Sequence, residues 1–212
     1  MNRGELVEYI NNSILIGDIV TENSEIYHRM IEEDLLYNTI LGSVCVDGVY
    51  VKQDEHNMLH LVYYDRWDKD VLLGDCIDVI DSCAFAWNKA IRSISGDSVV
   101  KIASHAFFYS NIKKIDFPNL IVIEDNCFYH TNLDTVTLNK ITLVPESAFQ
   151  YSTIRSFIGK EVREVESAAF GDCGTLKHLI LPKAIKIDKR YQWDVFDNLK
   201  TLQVPESCEF KE

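Results

Sequence analysis

Several features that would indicate an enzyme, a metal site or a membrane protein are missing from the sequence. The six cysteines form no Cys-x-x-Cys pair and the six histidines are scattered, so we expect no zinc site. None of the nine glycines belongs to a G-x-x-x-x-G-K phosphate-binding loop, and no acidic loop of the EF-hand type occurs. No apolar run reaches about 18 residues, the length that predicts a membrane span. We therefore expect no cofactor, no bound metal and no membrane partner.

Secretion is not indicated either. The first ten residues carry Glu5 and Glu8 where a signal peptide would be apolar. We expect a cytoplasmic protein, although a mature form that has lost its signal stays open. In a reducing cytosol the cysteines are expected to act as small buried apolar residues.

Catalytic groups are sparse as well. Ser104 and His105 are adjacent, but no acid stands in an obvious register to complete a hydrolase triad. We therefore predict that the protein is not an enzyme.

Negative charge is concentrated at one end of the chain. The formal net charge is −12. Residues 1–75 hold 5 Lys and Arg against 15 Asp and Glu, whereas residues 76–212 hold 16 against 18. Because phosphate binding depends on basic groups, we expect no direct contact with nucleic acid there. A basic protein is a more suitable partner for this part, and a solvated acidic surface is the simpler alternative.

Residues 1–42 are predicted to form an acidic helical extension. Helical spacing and a glycine stop predict a first helix from Leu6, Ile10, Ile14 and Gly17. A second amphipathic helix is predicted to begin at Asn23 or Ser24, either of which can cap it. Its polar face includes three consecutive acids that we consider as a contact for a basic partner: Glu32, Glu33 and Asp34.

Residues 43–77 are predicted to form a β-hairpin and N-terminal cap. Alternating valines on both sides of Asp47 and Gly48 predict two strands joined by a tight turn. Met58 to Tyr64 predicts a further strand because it is rich in β-branched and aromatic residues.

From residue 78 to 212 the sequence repeats. Each unit has a branched aliphatic residue, four small or polar positions and a phenylalanine, as in Ile102 to Phe107. The phenylalanines are 22, 21, 21 and 21 residues apart, and a sixth follows after 26: Phe85, Phe107, Phe128, Phe149, Phe170 and Phe196. A fixed period near 21 is typical of a solenoid, in which stacked units bury their apolar faces against one another.

The end of the repeat region departs from this period. We expect the extra residues Ile187 to Trp193 to loop out of the stack. A truncated last repeat is expected to act as a cap.

The pattern Ile-x-x-x-Ala-Phe, a gap and Leu-x-x-Leu-x-Leu-Pro resembles the BspA-type leucine-rich repeat family. Cys173 stands where that family often has cysteine, and the similarity covers about 43–210, leaving 1–42 unmatched. The resemblance implies an α/β repeat solenoid, a right-handed stack with short parallel strands on one face and turns or short helices between them. It also implies a role in protein binding.

Two columns of residues across the repeats are candidate contact surfaces. The first follows the first strand leucine of each repeat and is basic at five of six positions: Arg92, Lys113, Asp134, Arg155, Lys177 and Lys200. It could engage an acidic partner, or be an exposed column that tolerates lysine. The second is aromatic and lies just after each phenylalanine: Trp87, Phe108, Tyr109, Tyr129, His130 and Tyr151. Aromatic residues are favoured as interface anchors, but packing between coils would also explain them.

We predict a non-catalytic protein-protein interaction module that uses the strand face or the aromatic residues. The first alternative is an inhibitor or decoy of the anti-defence type, whose acidic N-terminal region blocks the basic groove of a nucleic-acid-binding enzyme. The second is a surface adhesin. A homo-oligomer, in which an acidic end pairs with the basic column of another copy, is also left open.

Overall fold

The computed structural model describes residues 2–16, 19–21, 25 and 40–212. Helix α1 (Arg3–Ile16) begins with a capping box. The side-chain oxygen of Asn2 accepts a hydrogen bond from the Glu5 N–H at 3.0 Å, and the Glu5 carboxylate accepts one from the Asn2 N–H at 2.9 Å. Arg3 reaches Asp78 in the first coil, with its two guanidinium nitrogens 3.0 and 2.5 Å from the carboxylate oxygens. The helix is therefore tied to the repeat region by a bidentate ion pair.

The buried face of α1 differs from the prediction at one position. Leu6 and Ile10 are buried, but Ile14 is 52% exposed and Ser13 is buried in its place. At 3.6 residues per turn, position 13 lies closer than position 14 to the line through Leu6 and Ile10. The predicted second helix, with its three acids, lies outside the described residues.

The predicted hairpin is present. Strands β1 (Val44–Val46) and β2 (Val49–Gln53) are antiparallel. Asp47 and Gly48 both have positive φ, 49° and 78°, as a type I′ turn requires. Strand β3 (Leu59–Tyr64) pairs antiparallel with β2 on one side and parallel with the short strand Val79–Ile80 of the solenoid on the other. It is therefore the junction between hairpin and repeats.

Each coil of the solenoid contributes two short strands, which stack into two parallel rows. The first row contains β4 (Asp70–Leu72), β6 (Ser93–Ser95), β8 (Lys114–Asp116), β10 (Thr135–Leu138), β12 (Ser156–Gly159), β14 (His178–Ile180) and β16 (Thr201–Gln203). The second row contains β5 (Val79–Ile80), β7 (Lys101–Ile102), β9 (Val122–Ile123), β11 (Leu143–Val144), β13 (Glu164–Val165), β15 (Lys186–Asp188) and β17 (Glu209–Lys211). The fold is thus a β-solenoid of about seven turns.

Two rows replace the single strand face that the family resemblance implies. The Ile-x-x-x-Ala-Phe block itself begins in the second row, at Ile102 for example, and its aliphatic residue is fully buried. Regular strand pairing breaks between β8 and β10, where the Asp134 N–H still donates to the Lys113 carbonyl at 3.4 Å. The stack therefore continues across the break.

A column of stacked rings forms the centre of the core. The five evenly spaced phenylalanines are almost fully buried, and neighbouring ring centroids are 5.0–5.5 Å apart: Phe85, Phe107, Phe128, Phe149 and Phe170. Tyr64 of β3 extends the column at 4.9 Å from Phe85. The stacked units thus bury these phenylalanines against one another, as the regular period predicts.

Phe196 does not belong to this column, so the prediction for the last repeat is wrong in two respects. Phe196 is only partly buried and lies 6.3 Å from the ring of Phe210. Ile187, expected in a loop, is fully buried in β15 and pairs with Val165. The additional length is instead taken up after the strand by a turn and the short helix α2 (Trp193–Asn198), and β15 still pairs with β17 in the second row.

Candidate interaction surface

The structure brings the six aromatic residues of the second predicted column together as one continuous surface feature. We call this the aromatic band, and it consists of Trp87, Phe108, Tyr109, Tyr129, His130 and Tyr151. Trp87 is 50% exposed and Tyr151 44% exposed, and they mark the two ends of the band. The rings between them are exposed or partly exposed.

Hydrogen bonds between coils hold the band in register. The Trp87 N–H donates to the Phe108 carbonyl at 2.8 Å, and the Tyr109 N–H donates to the Tyr129 carbonyl at 3.0 Å. The Tyr151 N–H continues the series to Gly171 at 2.9 Å. Each turn is thereby fixed one sheet spacing, about 4.8 Å, from the next, which is close to the stacking distance of aromatic rings.

The outer residues of the band occupy a backbone conformation that suits glycine or asparagine. Trp87, Tyr109, His130 and Tyr151 have φ of 60°, 54°, 53° and 59°. For a bulky residue this left-handed region is unfavourable. A second position in each coil adopts it as well, so positive φ is a regular feature of these turns: Cys83, His105, Asn126, Ser147 and Ala168. Asp172, the equivalent residue of the next coil, has φ of 55° with a short polar side chain. The aromatic side chains are therefore not what backbone stability would select.

Ring faces within the band are turned toward one another. Trp87 and Tyr109 stack with centroids 4.4 Å apart and planes 12° from parallel, and Tyr109 and His130 stack at 4.3 Å and 14°. Phe108 stacks on Tyr129 at 5.0 Å. Because neighbouring faces cover one another, the band mainly offers ring edges, which carry the positive end of the aromatic quadrupole. The ammonium of Lys89 adds positive charge 5.2 Å from the Trp87 ring centroid.

The two tyrosines at the far end stay neutral over a wide pH range. Burial and then neighbouring tyrosines raise the pKa of Tyr129. The negative charge of the nearby Asp172 carboxylate raises the pKa of Tyr151. This end of the band is therefore aromatic and polar but does not ionise near neutral pH.

The basic column also forms a continuous line on the surface. In each coil the backbone N–H of the ladder residue donates to the carbonyl of the ladder residue before it, at 2.7 to 3.4 Å. Lys69 joins the line because the Arg92 N–H donates to its carbonyl at 2.7 Å. We call the line the basic ladder: Lys69, Arg92, Lys113, Asp134, Arg155, Lys177 and Lys200. Sequence reasoning missed Lys69 because it precedes the first recognised phenylalanine, but the Lys69-to-Arg92 spacing of 23 residues is close to the repeat period.

A shallow depression of about 610 Å³ lies along the middle of the ladder. Its lining combines ladder residues with the amide and hydroxyl side chains two positions earlier: Lys113, Asn132, Asp134, Thr153, Arg155 and Thr175. Asn132 donates to the Asn111 side-chain oxygen at 2.9 Å, and Thr175 donates to the Ile154 carbonyl at 3.0 Å. These donors tie neighbouring coils together, so the charged groups are the ones that can engage a ligand.

The remaining candidates do not form a reaction centre. The Ser104 hydroxyl donates to Glu124 at 3.2 Å, and the His105 ring lies 5.2 Å from the ring of Phe108. Burial lowers the pKa of His105. Both residues have structural contacts in the turn. Across the part of the chain that the structure describes, no group of three or more His, Cys, Asp and Glu side chains could hold a metal ion. No helix in those same residues combines the length and apolar character of a membrane span.

Sequence reasoning missed an ionic cluster that joins the hairpin to the first coil. The two ring nitrogens of His60 lie 2.6 Å from Asp81 and 3.2 Å from Asp54, and Lys52 lies 3.1 Å from Asp81. Burial lowers the pKa of His60, but the two carboxylates raise it by more, so it lies above its usual value. The residues come from different elements, so nothing in the repeat pattern indicated the cluster. Glu32, Glu33 and Asp34 lie outside the described residues.

The BspA type leucine rich repeat region is the family model that matches this chain, with six copies over residues 69–161 and 122–211. Three solved structures are similar. A leucine-rich repeat protein from Eubacterium ventriosum ATCC 27560 is 11% identical with a TM-score of 0.56, over 78% of this chain and 60% of that one. The pneumococcal vaccine antigen PcpA is 16% identical with a TM-score of 0.54, over 78% and 50%. A leucine rich cell surface protein from Faecalibacterium prausnitzii A2-165 is 23% identical with a TM-score of 0.47, over 80% and 40%.

At these identities the two structures with TM-scores above 0.5 support the fold alone. The chain spans 40% to 60% of the length of the three proteins. No curated protein matches it.

Proposed function

Because the chain belongs to the BspA-type leucine-rich repeat family, we propose that it is a non-catalytic protein-binding module whose contact surface is the aromatic band. Leucine-rich repeat proteins are typically surface or protein-interaction modules. The observation that carries the proposal is the continuous surface band of six aromatic residues, whose rings the stacked coils hold against one another. Large aromatic side chains are favoured as anchors because they bury much area at a small entropic cost.

The band also has the composition expected of an anchor cluster. Trp and Tyr are enriched among interface residues whose truncation costs about 2 kcal/mol or more, which corresponds to roughly thirtyfold in affinity. Because the coils hold the rings in place before binding, a partner would lose little free energy in ordering them. The band is therefore suited to a protein surface with complementary pockets or carbonyl groups.

The test compares a band variant with a matched control. A partner is first isolated by crosslinking through a photoreactive phenylalanine analogue at position 87 and then prepared as a pure protein. Direct titration should give binding that falls about thirtyfold or more in Trp87→Asn. The control is Trp67→Asn, because Trp67 is 77% exposed and lies outside the band. Equal binding by the Trp87 variant and the wild-type protein would exclude the band as the contact.

The inhibitor hypothesis depends on another part of the chain. Its support is that the acidic charge is concentrated in residues 1–75. If this region occupies a basic groove, replacing Glu32, Glu33 and Asp34 by Lys should abolish binding to the target enzyme, while Trp87→Asn should leave it unchanged. The reverse result would favour the aromatic band.

Cytoplasmic location and a surface adhesin role remain competing proposals. A vaccine antigen occurs among the proteins of similar fold, which supports the surface role. Fractionation of the native cells, with antibody accessibility on intact cells, would separate the two.

A further inference from the structure

The stacking of the coils alone does not explain why the residues of the basic ladder are positively charged. Its residues repeat at the sheet spacing of about 4.8 Å, so neighbouring cations repel one another. A column of like charge is relieved when an anionic ligand binds along it, and it raises the local concentration of such ligands. Asp134 is the single acidic residue among the seven residues of the basic ladder.

The charged side chains of the basic ladder differ in how strongly they already interact with other groups of the protein. The Arg92 guanidinium folds back on its own turn and donates to the Lys89, Ala90 and Ile91 carbonyls at 2.7–2.9 Å. Arg155 forms a surface ion pair with Asp134, with 3.4 Å between its Nε and the carboxylate oxygen. Such exposed pairs are weak and easily exchanged for another anion. The central ladder, where Lys113 and Arg155 line the depression, is therefore the part open to a ligand.

We infer that the central basic ladder binds an extended acidic segment of the protein that the aromatic band contacts, an inference that rests on the proposed function. Only a short segment of each turn separates the two surfaces, because His130 is four residues before Asp134 and Tyr151 is four residues before Arg155. The ammonium of Lys89 lies 5.2 and 5.8 Å from the ring centroids of Trp87 and Tyr109, so it places positive charge beside the band. The partner's apolar side chains would meet the ring edges, and its carboxylates would lie along the ladder.

The observations favour a peptide over a nucleic acid. Single-stranded nucleic acids bind by stacking bases on aromatic faces, but both faces of Tyr109, at the centre of the band, are already covered by Trp87 and His130. The chain also has a net charge of −12, which repels a strand that carries a charge at every phosphate. A short acidic segment within an otherwise uncharged surface avoids most of that repulsion.

Asp134 has a definite role in this arrangement. Its carboxylate competes with an incoming carboxylate for Arg155, and it repels the ligand at the middle of the depression. Replacing it with lysine would remove the competitor and complete the ladder. Binding of an acidic peptide should therefore strengthen in Asp134→Lys, an outcome that a purely structural ladder would not produce.

The experiment uses the full chain and a fluorescein-labelled peptide of alternating Glu and Ser, followed by fluorescence anisotropy at low and physiological salt. The ladder variant replaces three lysine or arginine residues by Gln: Lys113, Arg155 and Lys177. The control variant makes the same change of net charge at three exposed lysines away from the ladder: Lys140, Lys160 and Lys186. We expect about a tenfold loss in the ladder variant, less than about twofold in the control and about a tenfold gain in Asp134→Lys.

Each contrary outcome has a separate meaning. Equal losses in the two triple variants, or no gain in Asp134→Lys, would overturn the inference. So would tighter binding of a 12-residue single-stranded DNA probe that is lost in the ladder variant, because the ligand would then be a polyphosphate. Trp87→Asn, measured against the purified partner, reports on the proposed function separately. If its binding falls while the ladder variant binds normally, the band is the contact and the ladder is not.

Discussion

Replacing Trp87 by Asn should change the stability of the fold very little, because two opposing contributions nearly cancel. A left-handed backbone costs an ordinary L-residue roughly 1–2 kcal/mol, most of which Asn would recover. Against this, the variant loses the stacked pair with Tyr109, worth about 0.5–1.5 kcal/mol. It also loses the burial of half a large side chain, about 1 kcal/mol. The expected net loss is about 0.5 kcal/mol when the middle of each range is taken.

A variant in the buried core of the same coil provides the reference for a large loss in the free energy of unfolding. Phe85 belongs to the same coil and is 1% exposed, so Phe85→Ala should lower the free energy of unfolding by about 3–5 kcal/mol. Urea unfolding followed by circular dichroism would measure both variants. A loss of about 3 kcal/mol or more in Trp87→Asn would refute the reasoning, because the tryptophan would then be a structural element as the phenylalanine is. A small loss together with lost binding would separate the contact surface from the core.

Two further predictions concern the cap and the core. Because the pKa of His60 is raised in the folded protein, its contribution to the free energy of unfolding should be fully present below pH about 6.5. That contribution is lost as the pH rises through the pKa that His60 has in the folded protein. Burial raises the pKa of Asp81, but His60 and Lys52 lower it by more, so its contribution to the free energy of unfolding is lost as the pH falls. The loss of unfolding free energy in His60→Gln should therefore be largest near pH 5–6 and shrink toward pH 9, and a constant difference would contradict this. Gly159→Ala should destabilise by about 1–3 kcal/mol on urea unfolding, because an added Cβ would overlap the Val162 side chain, whereas Gly174→Ala, with open space around it, should not.

Much of the architecture could be predicted because a solenoid converts sequence spacing directly into position. A period of 21 or 22 residues is one coil, so Phe107 and Phe128 must lie one above the other wherever the chain turns between them. The same argument aligns the basic ladder and the aromatic band. The hairpin followed from local chemistry, since Asp47 and Gly48 are residues that tolerate positive φ.

Features that depend on backbone conformation could not be predicted from the period. That Trp87 and Tyr109 adopt left-handed φ is decided by hydrogen bonds between successive turns, and their residue types do not suggest it. The second row of strands was missed because each is only two or three residues long, too short for an alternating pattern. The position of α2 depends on how an insertion is absorbed once Ile187 has been placed in the stack.

The family, the repeat and the residues that align in each column follow from the amino-acid sequence alone, because these depend only on regular spacing. The tertiary structure decided what each column can do. It showed that the faces of Tyr109 are covered by Trp87 and His130, so that ring edges are presented. It also brought His60 and Asp81 together, although His60 lies in strand β3, before the first repeat. Contacts of this kind arise from the packing of one coil on the next, and a one-dimensional pattern does not contain them.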